Sequence, residues 1–354
     1  LMKNIYLLIV ISLIFICIFN YYLHHLIKRF LIFNRLKTFS IYFLSSLILF
    51  IFLDFYIFKI FGHGFPSSVS EEKFERSPSP YDMFSGKAYY NDHNSDGFRG
   101  EEFKNSKSDV FQIAFFGGST GYNGDPPIDK LIENILRKNN IKAKSFNFSS
   151  VSSNHNQHLY RLLKYSDLKF DLVLFYGGFN ETIQTYLYDP RPGYPFNYWI
   201  RNELSKIKYL LLKYSSIYAE YEKQTGKASN IFEVKKNINF LSDQWLNELL
   251  QNYESTLNKA KLLSKNFIKS NKCSSTQFFA FYQPISINKS DNYSKKIIKT
   301  TKDYFQNKII LKDISGIISE DGFVDSVHIN QVSKSIIAEK ISYHILSEVI
   351  NNCN

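Results

Sequence analysis

The run Phe111 to Phe116 is largely apolar and stops abruptly at Gly117-Gly118-Ser119-Thr120-Gly121. Its length suits a buried strand, and the glycines permit a tight turn with Ser119 at its centre. Beyond the turn, Asp125 is placed to cap a helix opened by Pro126 and Pro127. The apolar positions Ile128, Leu131, Ile132, Ile135 and Leu136 of that helix fall at helical spacing. A strand, a glycine turn holding a serine, and a helix present a hydroxyl at the carboxyl edge of a parallel sheet.

The rest of the chain repeats the alternation. Strands are predicted over Ile141 to Phe148, Asp171 to Tyr176, Gln277 to Tyr282 and, in short form, Lys308 to Leu311. The third strand breaks at Gly177-Gly178-Phe179-Asn180. Helices are predicted over Gln157 to Tyr165, Asn202 to Tyr221, Asp243 to Lys265, Asn292 to Phe305 and Val332 to Val349. In the Asp243 helix, Leu246, Leu249, Leu250, Tyr253, Leu257 and Ala260 share one face; in the last helix, Val332, Ile336, Ile337, Ile341 and Ile345 do. This pattern implies a parallel α/β sheet covered on both sides. An insertion at about 182–240 interrupts it, and its first part, Thr185 to Trp199, is crowded with aromatics. These either form a lid whose rings stack on sugars or pack the insertion down.

Ahead of the sheet lie two long apolar runs, Ile5 to Leu23 and Ile41 to Phe61, each near the roughly 20 residues that cross a bilayer. The second contains Asp54, either a polar contact within the membrane or an interfacial residue. Between the runs stand His24, His25, Lys28, Arg29, Arg35 and Lys37, a basic loop that faces the cytoplasm under the positive-inside rule. Residues 1–63 then form a transmembrane hairpin, 64–105 a juxtamembrane linker, and 106–354 an outward-facing domain. The net charge of +11 is spread along the chain and flanks the apolar runs, so it gives no nucleic-acid footprint. The three cysteines, Cys17, Cys273 and Cys353, are too scattered to suggest a disulfide framework or a zinc site.

Just before the last helix, Asp325 and His328 stand three apart, a spacing that lets a carboxylate orient an imidazole toward a serine. Gly117-x-Ser119-x-Gly121 also fits the nucleophile elbow of α/β-hydrolases, but those normally have more strands ahead of the serine. Taken in order, the serine turn, the Gly177-Gly178-Phe179-Asn180 turn and Asp325-x-x-His328 make the chain resemble the SGNH/GDSL hydrolase family from about Val110 to the carboxyl terminus, without the insertion. The resemblance implies an SGNH-hydrolase-like (flavodoxin-like) three-layer sandwich with a parallel sheet. It implies Ser119 as nucleophile, His328 as general base, Asp325 as its acid, and an oxyanion hole from Asn180 and the Ser119 N–H. The nucleophile block reads Gly-Gly-Ser-Thr rather than Gly-Asp-Ser-Leu, and Glu181 stands where aspartate commonly follows the asparagine. The family's second block supplies a glycine N–H, whereas Asn147 to Asn154 contains no glycine. Spacing from Asn147 puts Ser152 in that place, or Ser153 if the loop is shifted by one. His155 and His158 lie in the same loop without an acid at matching spacing, and are read as solvated.

The expectation is a two-pass membrane protein with an extracytoplasmic serine esterase domain, needing no cofactor or metal. It would remove small acyl groups, acetyl foremost, from an acylated carbohydrate of the cell surface. O-acyl transfer to a polysaccharide, glycan binding on a degraded SGNH fold, and lipid ester hydrolysis are the competing readings.

Overall fold

The computed structural model describes residues 3–27, 35–58, 74–187, 191–194, 207, 211, 214–218, 221, 242–350 and 353. The chain forms two compact units, residues 1–68 with 199–233, and 69–198 with 234–354.

In the first unit, α1 (Lys3–Ile27) and α2 (Arg35–Phe52) form an antiparallel pair, and α2 continues as a π-helical turn over Leu53–Ile57. Leu8, Leu53 and Phe58 are buried together, and Asn20 donates from Nδ2 to Ser46 Oγ at 2.8 Å. The stretches Leu8–His25 and Phe39–Ile57 are long and apolar enough to cross a membrane. Their outer faces carry exposed Leu13, Ile14, Phe15, Leu44 and Ile48, as lipid contact requires. Asp54 is buried and accepts the Ile217 N–H at 2.8 Å, so within this unit it ties the helical pair to the insertion.

The second unit is built on five parallel strands: β3 (Phe111–Gly117), β4 (Ala143–Asn147), β5 (Leu172–Gly177), β6 (Gln277–Tyr282) and β7 (Lys312–Asp313). Their order is β4-β3-β5-β6-β7, which counted within the sheet is 2-1-3-4-5, the flavodoxin-like arrangement. Every residue of β3 and β5 is buried because helices cover both faces. One face packs under α5 (His155–Lys164), α7 (Asp243–Phe267) and α8 (Asn292–Phe305), the other under α4 (Ile128–Lys138) and α9 (Gln331–Glu348). The three-layer α/β sandwich expected from the sequence is the fold of this unit.

Local differences have physical causes. The last strand falls at Lys312–Asp313 rather than Lys308 to Leu311; Ile309 in the expected strand is exposed. The stripe of α9 narrows to Ile337, Ile341 and Ile345, with Ala338 beside them, while Val332 is 72% exposed and Ile336 41%. Asp125 caps nothing: Pro127 is the N-cap of α4, and the Asp125 N–H donates to Gln331 Oε1. Cys273 and Cys353, expected to be unrelated, form a disulfide across 80 residues of sequence.

Residues 74–105, read as linker, are folded in the second unit. They begin with the antiparallel hairpin β1 (Arg76–Ser79) and β2 (Met83–Gly86). Asp82 at its tip is buried against the equally buried Arg161 of α5, which also donates to the Phe84 and Phe148 carbonyls. Phe74, Tyr122 and Val151 share a small apolar cluster. Linker residues 64–73, the loop residues Lys28 and Arg29, the helix expected over Asn202 to Tyr221 apart from isolated residues, and most of the aromatic run after Leu187 lie outside the described residues.

Candidate active site

β3 ends at Gly117, and the four-residue helix α3 (Ser119–Tyr122) starts on the next turn. Ser119 is its first residue, so its N–H is one of the donors that a helix start leaves unpaired. Gly118 has to be small: a Cβ there would collide with the Asn180 side-chain amide. The turn is held from behind by Asn147 at the end of β4, whose Nδ2 donates to the Gly121 carbonyl at 3.2 Å and to Asp129 Oδ1 at 2.7 Å. Burial pushes the Asp129 carboxyl up to about 6.

Asp325 and His328 lie in the loop between a 3₁₀ turn (Glu320–Gly322) and α9. The loop is closed by the Phe323–Ile329 bridge and pinned from below by buried Val327 and Ile329. His328 Nε2 stands 2.8 Å from Ser119 Oγ, and His328 Nδ1 stands 2.6 Å from Asp325 Oδ2. Asp325 Oδ1 accepts the N–H groups of Val327 at 2.8 Å and of His328 at 2.7 Å. Partial burial opposes charge on Asp325, but the His328 ring and these two N–H groups outweigh it and hold the carboxyl at about 2. Residues 209 apart in sequence, Ser119 and His328, thus meet at the carboxyl edge of the sheet.

Asn180 is the second residue of α6 (Phe179–Leu187), after the turn that follows β5. Gly178 in that turn has φ +133°, and a side chain there would also strike the Tyr282 ring. Asn180 Nδ2 donates to the Ser153 carbonyl at 2.7 Å, which fixes the amide plane and leaves its second N–H beside the serine turn. Ser152 has φ 66°, the left-handed region that costs a non-glycine residue about 1–2 kcal/mol. Of the two sequence candidates it is the residue in a glycine-like conformation. Its N–H has no acceptor among the described residues, whereas the Ser153 N–H is spent on the Ser150 carbonyl.

His155 and His158, expected to be solvated, are buried at the start of α5. His155 Nδ1 lies 3.1 Å from His158 Nδ1 and 3.0 Å from Glu181 Oε1, and His158 Nε2 lies 2.9 Å from Ser153 Oγ. The ligand-type atoms of His155, His158 and Glu181 fall within 4.8 Å of one another, as a metal would require. The same atoms also lie within hydrogen-bond distance of one another. Burial opposes the charge of Glu181, but His155 and the Gly178 N–H hold its carboxyl below the usual range. Desolvation, with His155 and Arg161 nearby, pushes His158 well down and keeps it neutral. This buried chain fastens the Ser153 loop to the Gly178 turn. Two histidines and a glutamate at these positions were its only trace in the sequence.

No protein-family model matches the chain, and no curated protein matches it in sequence. Solved structures do resemble it. The inhibitor-bound aryl esterase of M. smegmatis is 10% identical with a TM-score of 0.40, covering 67% of this chain and 99% of that one. A member of the lipolytic G-D-S-L family from Veillonella parvula is 10% identical, TM-score 0.36, covering 68% and 98%. A family two carbohydrate esterase from Clostridium thermocellum, in complex with cellohexaose, is 9% identical, TM-score 0.33, covering 66% and 63%.

Proposed function

We propose that the second unit is a serine ester hydrolase of SGNH type acting outside the cytoplasmic membrane. The observation that carries this is the relay Ser119–His328–Asp325, with both contacts at hydrogen-bond length. Asp325 holds the His328 tautomer whose Nε2 accepts a proton. His328 takes the proton of Ser119 as Oγ attacks an ester carbonyl, and returns it to the departing alkoxide. The negative oxygen is held by the Ser119 and Ser152 N–H groups and by the free N–H of Asn180. Water, activated by the same imidazole, then releases the acid.

The substrate we propose is a small acyl ester, acetyl foremost, on a surface glycan. Tyr194 supports this: it is exposed, with Arg191 over its ring, and Asn154 Nδ2 donates to the Gly193 and Tyr194 carbonyls, so the backbone that carries this aromatic residue is tied to the loop of Ser152, where the ring can meet a sugar. The outward placement is supported by the two apolar helices and by the Cys273–Cys353 disulfide, a bond that persists in oxidising compartments.

The test is intact mass of the full chain in detergent after exposure to an organophosphonate, beside Ser119→Ala, followed by assay of acetate release from O-acetylated xylan. A single adduct on the wild type alone, with acetate released by it, is the expected outcome. A folded wild type that takes no adduct removes the esterase reading; an adduct without acetate release removes the glycan.

A further inference from the structure

An oxyanion donor at a position with φ 66° is easy for glycine and strained for serine, so something has to keep Ser152 there. The structure assigns that task to Arg76. Its Nη2 donates to Ser152 Oγ at 3.1 Å across 76 residues of sequence. The guanidinium lies over the rings of Phe74 and Phe84, 5.5 and 5.4 Å from their centroids, and both rings are buried. Phe74 packs on Val151, the residue before Ser152, and on Tyr122 of α3. The hairpin arm therefore grips the strained loop at two consecutive residues while touching the helix that carries Ser119. From the opposite side, Gln184 Nε2 of α6 donates to the Ser152 carbonyl at 3.3 Å.

Arg76 is a positioning residue: it orients the Ser152 peptide through the serine side chain and needs no contact with substrate. Serine can replace glycine because its hydroxyl offers the handle that glycine lacks. Alanine at 152 would be strained with nothing to hold it.

The inference rests on the esterase reading, and its test separates the two. Initial rates on p-nitrophenyl acetate are measured for the wild type, Arg76→Ala, Ser152→Gly and the double variant. Arg76→Ala is expected to lower kcat about tenfold or more, up to the roughly 10²–10³-fold seen when an oxyanion donor is lost outright, with KM little changed. In the Ser152→Gly background, Arg76→Ala is expected to cost little further kcat, so the double variant turns over near the rate of Ser152→Gly alone, since glycine adopts the conformation unaided. An unchanged kcat in Arg76→Ala, or a double variant slower than Ser152→Gly by the factor that Arg76→Ala costs the wild type, while melting as the wild type does, overturns the assignment. Thermal midpoints give a reading that needs no turnover. Ser152→Gly raises the midpoint by more degrees in the Arg76→Ala background than in the wild type. Equal increments overturn the assignment even if the chain hydrolyses nothing.

Discussion

Asp325 accepts three hydrogen bonds, from the His328 ring and from the N–H groups of His328 and Val327. One oxygen is spent on holding the loop and the other on holding the imidazole, so the residue shapes its own loop as well as orienting the base. Asp325→Asn keeps the volume but presents an N–H where His328 Nδ1 now donates, favouring the wrong tautomer. The expected outcome is a kcat on p-nitrophenyl acetate lower by about 10²–10⁴-fold with Ser119 still in place. The same bonds have a pH signature. The folded carboxyl sits at about 2 against an ordinary 3.8, so its contribution to stability is complete above the ordinary value and is lost as pH falls through 2. Because Asp325 is half exposed, that contribution is small, no more than about 1 kcal/mol after solvent screening. Acid unfolding curves of the wild type should fall away more steeply between these limits than those of Asp325→Asn.

Elements were legible where apolar residues set the burial and illegible where it is shared with polar anchors. β3, β5 and β6 follow from largely apolar runs and α7 from one-sided helical spacing, and Gln277–Tyr282 and Asn292–Phe305 fall on the expected residues. β7 has two residues, too few for any pattern to register. The hairpin Arg76–Gly86 reads as linker because its composition is serine, proline and charge; what folds it is Arg161, a side chain 79 residues away that reaches Asp82. The serine, asparagine, aspartate and histidine of the site were readable because their chemistry dictates their type. The Arg76 contact and the His155–Glu181 chain were not, because positioning by long side chains has no fixed spacing. Arg161 makes the hairpin's anchoring testable. Arg161→Ala leaves Asp82 charged and buried without its partner, which costs about 3–5 kcal/mol. Urea unfolding should show that loss, while Asp82→Asn, which removes the charge and keeps the shape, loses less. Equal losses would mean that the ion pair, and not the Phe84 and Phe148 carbonyl bonds, holds the arm.

At the scale of the whole chain, Cys273–Cys353 encloses β6, α8, β7, the Asp325–His328 loop and α9, so two of the three relay residues lie inside one covalent loop that spans 80 residues of sequence. Closing a loop of that size restricts the unfolded chain and adds about 2–4 kcal/mol of stability. No spacing rule could have paired these cysteines, since the pairing depends on where α9 ends relative to the loop before β6. The bond also bears on topology. A basic loop between two apolar helices argues for an outward domain through charge, and a disulfide in that domain argues for it independently through redox chemistry. The two arguments agree on one measurable state. Cells producing the full chain are quenched in acid, the protein is denatured, and a maleimide-polyethylene glycol is added with or without prior reduction. Cys17 is the one free cysteine, so a single addition is expected before reduction and three after it. Three additions without reductant would place the domain in a reducing compartment, and the surface glycan would lose its claim as substrate while the Ser119 relay kept its own.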